Sequence, residues 1–63
     1  MIVNGKEEPA GGRTVAQLLR ERSVPLSNVA VEMNEAILPK ARYETTVLTD
    51  ADRLEIVSFV GGG

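Results

Sequence analysis

Hydrophobic positions along the chain follow two rhythms, and the strand-like one is clearest near its end. From Leu54 to Val60 a strand's side chains point to opposite faces in turn, so Leu54, Ile56, Ser58 and Val60 share one face and Glu55, Val57 and Phe59 the other. Leu54 and Ile56 are the expected core anchors, and Val57 and Phe59 form an apolar pair on the far side. Upstream, Val29, Val31 and Met33 alternate with Ala30, Glu32 and Asn34, which predicts another strand with one buried face. Ile2-Val3 runs into Asn4-Gly5, a pair that supplies the positive φ angles of a type I′ hairpin turn. A return strand over Lys6 to Pro9 follows, its charges and its proline suiting a sheet edge.

Gly11-Gly12 then breaks the chain. A glycine pair ahead of a helix can cradle phosphate, but the Walker spacing with its Lys-Ser/Thr is absent, and the pair reads as a plain turn. The second rhythm begins here: Val15, Leu18 and Leu19 fall at i, i+3 and i+4 and make one apolar stripe. Thr14 and Gln17 have the spacing of a capping box, so the helix starts at Thr14. It ends near Ser23, because Pro25 disfavours the helical conformation at Val24, and Arg20 and Arg22 complement the dipole of its last turn. Asn34-Glu35 turns the middle strand back into Ala36-Ile37-Leu38, which Pro39 closes. Lys40 to Glu44 is polar and irregular apart from Tyr43, Val47-Leu48 is a short apolar segment, and Thr49 to Asp52 makes a polar turn into the final strand. The order strand, strand, helix, strand, strand, strand predicts an α+β chain, with one main helix packed across a mixed sheet of about 4–5 strands.

With 63 residues the chain is read as one domain, 1–63, that buries only about 60% of its unfolded surface and has no room for an enclosed active site. It contains no Cys and no His, which excludes a disulfide framework, a zinc site of the usual kind, a thiol nucleophile and a side chain whose unperturbed pKa lies near neutrality. Nine acidic residues, scattered along the chain, read as a solvated surface rather than a catalytic carboxylate pair. The net charge of −2 and the two aromatics, Tyr43 and Phe59, argue against nucleic-acid binding. No apolar run approaches a membrane-spanning length, so a cytoplasmic protein is expected.

The strand after Leu54 leads into Gly61, Gly62 and Gly63. Three residues without a Cβ present a backbone with no side-chain walls, a flexible tail that can thread a narrow cleft and reach roughly 10 Å beyond the last anchored residue.

Taken together, Asn4-Gly5, Thr14-Val15 with Leu18-Leu19, Val29-Ala30-Val31 with Asn34, Ile37-Leu38-Pro39, and Asp52-Arg53-Leu54-Glu55-Ile56-Val57 running to Val60-Gly61-Gly62-Gly63 resemble the β-grasp (ubiquitin-like) proteins, and more narrowly the ThiS family of sulfur carriers in thiamine biosynthesis. The resemblance covers nearly the whole chain. It implies a last strand lying centrally and parallel to the first. It also implies a protein that is a co-substrate and not an enzyme, with no bound cofactor. A ThiF-like adenylating enzyme would use ATP to activate the Gly63 carboxylate, a sulfur-donor protein would supply the sulfur, and the resulting thiocarboxylate would serve a ThiG-like thiazole synthase. Gly61, Gly62 and Gly63 would enter the partner's cleft, and Val57 and Phe59 are the candidate docking pair. The family usually has Asp-Gly-Asp before the last strand and Asn-Gly between the middle two, where this chain has Asp50-Ala51-Asp52 and Asn34-Glu35. Both lost glycines stand where positive φ is often wanted. Three rival functions share the pattern: the small subunit of molybdopterin synthase, which is usually longer, a ubiquitin-like modifier joined to lysines, and a β-grasp module that only packs against a larger protein.

Overall fold

The computed structural model describes residues 1–59. Among them five strands form a single mixed sheet: β1 (Ile2–Val3), β2 (Lys6–Glu7), β3 (Val29–Met33), β4 (Ala36–Ile37) and β5 (Arg53–Ser58). They lie in the order β2-β1-β5-β3-β4. The last strand is therefore central, parallel to β1 (Val3 opposite Leu54) and antiparallel to β3 (Val31 opposite Ile56). The expected four or five strands are five. The first hairpin is shorter than expected: β2 stops at Glu7, and a single further bond, Glu8 N–H to the Met1 carbonyl at 2.9 Å, continues the pairing before Pro9 ends it.

Helix α1 (Val15–Glu21) lies on one face of this sheet, with Val15, Ala16, Leu18 and Leu19 buried. Its start satisfies every orphan amide of the first turn. Val15 donates to the Thr46 carbonyl (3.0 Å), Ala16 to Tyr43 (2.9 Å), Gln17 to the Thr14 hydroxyl (3.1 Å) and Leu18 to the Thr14 carbonyl (3.0 Å). The Gln17 side chain accepts from Thr14 N–H at 2.8 Å, completing the capping box. At the other end Ser23 takes φ 58°, its N–H bonding the Arg20 carbonyl while that of Val24 reaches Leu19. These two bonds make a Schellman closure with serine in the position glycine usually fills.

The core joins this helix to Val3, Val29, Val31 and Leu54 of the sheet, with Met1, Ala10, Tyr43 and Leu48 sealing its margins. Tyr43 is 2% exposed although its neighbours are polar, because a 3-10 turn over Lys40–Arg42 carries it under the helix N-terminus. Burial pushes its phenol up, with the backbone of Val31 pulling the other way.

Candidate functional site

Strand β5 is anchored by Leu54, fully buried, and Ile56, packed against the core. Its alternation sends Val57 and Phe59 to the face that carries no helix, where they are 54% and 58% exposed. Both residues expected to lie off the core are thus outside it. On the same face Ala30 stands opposite Val57, and Glu32 stands between Glu55 and Ile37 across three strands. Ile37 is 69% exposed. It widens the apolar area, and the sequence did not single it out, since Ala36-Ile37-Leu38 is apolar throughout and shows no alternation. The β3–β4 register sets Ile37 opposite Glu32, on the face away from Leu38, which packs against the core. Ser58, read on the inner face, is exposed at the open end of the strand.

The start of β5 is fixed by a network around Asp52. Its carboxylate accepts from Thr49 N–H (2.7 Å) and from the Asn34 side-chain amide (3.1 Å), while Asp52 N–H returns to the Thr49 carbonyl (3.1 Å). Partial burial raises the carboxyl's pKa, but the bonds from Asn34 and Thr49 outweigh it and hold the group below its ordinary value. Farther along, Ile56 N–H donates to Asn4 Oδ1 at 2.7 Å and Asn4 Nδ2 donates to the Ile56 carbonyl at 3.2 Å.

Gly61, Gly62 and Gly63, and Val60 before them, lie outside the described residues. Among the described residues no three His, Cys, Asp or Glu side chains are placed to hold a metal ion, and no helix is long and apolar enough to cross a membrane. The Gly11-Gly12 pair, with φ 63° and 71°, forms the turn expected of it. Arg13 packs over that turn, donating to the carbonyls of Pro9 and Ala10 and pairing with Glu8 and Glu21.

A mixed sheet with its last strand central and parallel to its first, a single helix across one face and a bare strip with apolar residues on the other, defines a β-grasp protein. Residues 2–63 match the ThiS family, and the chain belongs to it. The sulfur carrier protein ThiS of Thermus thermophilus is 34% identical over 61 residues, covering 97% of this chain and 95% of that protein. A crystal structure of the thiamine biosynthesis protein ThiS from Geobacter metallireducens is similar at a TM-score of 0.77 and 33% identity, covering 98% and 96% of the two chains. A thiazole synthase of Paramagnetospirillum magneticum is 44% identical over 64 residues, and the chain spans 20% of that protein's length.

Proposed function

We propose that this chain is a cytoplasmic sulfur carrier for thiazole formation in thiamine biosynthesis, a single domain over 1–63 whose Gly61-Gly62-Gly63 tail carries the reacting group. The Gly63 carboxylate attacks the α-phosphate of ATP on a ThiF-like adenylating enzyme, releasing pyrophosphate and leaving an acyl adenylate. A donor protein's persulfide sulfur displaces AMP to give an acyl disulfide, a thiol reductant cleaves its S–S bond to free the donor and leave the terminal thiocarboxylate, and this is delivered to a ThiG-like thiazole synthase.

The observation that carries this reading is the family match across 2–63, which includes the three glycines. The chemistry agrees with it. A chain without cysteine has no thiol to hold sulfur, so an acyl-linked sulfur needs a carboxyl group, and a carboxylate is too poor an electrophile to accept sulfur unactivated. Val57 and Phe59, exposed on the strand that precedes the tail, supply a docking pair for the partner. The thiazole synthase of P. magneticum, with a stretch similar to the whole of this chain, supports thiazole synthase as the client.

Intact mass after incubation with a ThiF-like enzyme, ATP and a sulfur donor tests it. The native chain is expected to gain the difference between sulfur and oxygen, and a chain lacking Gly63 to gain nothing. No adenylate and no exchange with competent partners would overturn the carrier reading in favour of a binding module.

A further inference from the structure

We infer that Asn4 is a positioning residue for the carrier tail, its side-chain amide standing in for a strand residue that β1 no longer provides; the inference rests on the carrier reading above. Strand β1 pairs with β5 only at Ile2–Arg53 and Val3–Leu54, and the last backbone bond between them is Asn4 N–H to the Leu54 carbonyl at 2.9 Å. The main chain then leaves the sheet through the type I′ turn, with φ 49° at Asn4 and 85° at Gly5. An extended strand would next have offered an acceptor and a donor to Ile56. The Asn4 amide offers both from its side chain, Oδ1 taking the Ile56 N–H and Nδ2 bonding the Ile56 carbonyl.

Past Ile56 the described part of β5 is paired on its β3 side alone. Val57 stands opposite Ala30 and Ser58 opposite Val29, and Phe59 N–H bonds the Asn28 carbonyl at 2.8 Å. Among the described residues Asn4 is therefore the last hold on the β1 side of β5. Both amide bonds are solvent-exposed, so they add little to global stability. Their effect falls on the direction and order of Val57, Ser58 and Phe59, the described residues that lead toward the tail, and a segment held in place before binding loses less freedom on entering a cleft.

The molecule contains its own control. Asn34 also takes a left-handed φ, 54°, at the head of a hairpin turn, and its Oδ1 accepts from β5 at Arg53 N–H, 3.0 Å. That hold lies at the entry of the strand, away from the tail. If order at the exit is what matters, Asn4 and Asn34 give different kinetics on substitution even where their stability losses match.

The experiment uses the full chain as native, Asn4→Gly, Asn4→Asp and Asn34→Gly, with adenylation by a ThiF-like enzyme followed as ATP–pyrophosphate exchange. Glycine keeps the left-handed turn and removes only the amide. Asn4→Gly is expected to stay folded, to show faster hydrogen exchange at the Ile56 amide, and to raise the KM for the carrier roughly tenfold, about 1.4 kcal/mol, with kcat unchanged. Asn4→Asp keeps the acceptor but sets a carboxylate oxygen against the Ile56 carbonyl, so it is expected to raise the KM as well, and it carries the comparison should Asn4→Gly not fold. Asn34→Gly is expected to keep the native KM. A native KM in Asn4→Gly, or an equal rise in Asn34→Gly, would overturn the positioning role while leaving the carrier reading intact. A native chain that is never adenylated brings down both.

Discussion

Glu35 has φ 71° and follows Asn34 at φ 54° in the turn between β3 and β4, so a residue with a Cβ occupies the second left-handed position of a type I′ turn. Left-handed backbone costs an ordinary residue about 1 kcal/mol or more, a penalty glycine escapes. The other glycine missing from the family pattern behaves differently. Ala51 is not among the left-handed residues, and its turn closes normally through Asp52 N–H and the Thr49 carbonyl. Glu35→Gly is therefore expected to stabilise the domain by about 1 kcal/mol, raising Tm by roughly 4–8 °C in a chain this small. Ala51→Gly should lower stability by about 0.5 kcal/mol, because it only enlarges the unfolded ensemble. Thermal melts of the two variants beside the native chain check the opposite signs, and equal shifts would refute the argument from φ.

The elements that carry a period were legible, and those that do not were set by tertiary contact. Val15, Leu18 and Leu19 with Thr14 and Gln17 specified the helix and its cap, and the alternation from Leu54 specified β5 and the exposure of Val57 and Phe59. Tyr43 and Leu48 were not legible as core, because what buries them is the helix start, whose amides bind the carbonyls of Tyr43 and Thr46. Nor was the Asn4 hold on Ile56, a pairing across 52 residues that no local pattern encodes. The turn launching β5 gives a pH prediction at this scale. The folded Asp52 carboxyl sits below its ordinary value, so the unfolded chain binds the proton more readily and the stabilisation is fully present above the unfolded value. It is lost as pH falls below about 4 and through the folded value. Native chain and Asp52→Asn should differ in stability near neutrality and converge in acid; denaturant melts across that range that stay parallel would refute the assignment.

At the scale of the whole molecule, one short helix can cover only one face of a five-stranded sheet, and the other face keeps its apolar residues in water. Val57, Phe59 and Ile37 are all more than half exposed there, in a domain whose core is already small. Their removal should therefore cost folding little. Leu54→Ala, by contrast, opens a cavity at a fully buried site and is expected to cost about 2–5 kcal/mol, much of what a domain this size possesses. Phe59→Ala should change stability by about 0.5 kcal/mol or less and yet weaken binding to the adenylating enzyme by roughly 10- to 100-fold, as an aromatic anchor seated in a partner's pocket would. Val57→Ser should act in the same direction more weakly. Titration calorimetry and thermal melts on the same samples separate the two effects. A Phe59→Ala chain that melts as Leu54→Ala does would place Phe59 in the core, and one that folds and binds as the native chain does would leave the bare face without a docking role. Affinity lost without stability lost is the outcome that ties the exposed strip on β5 to the tail that follows it.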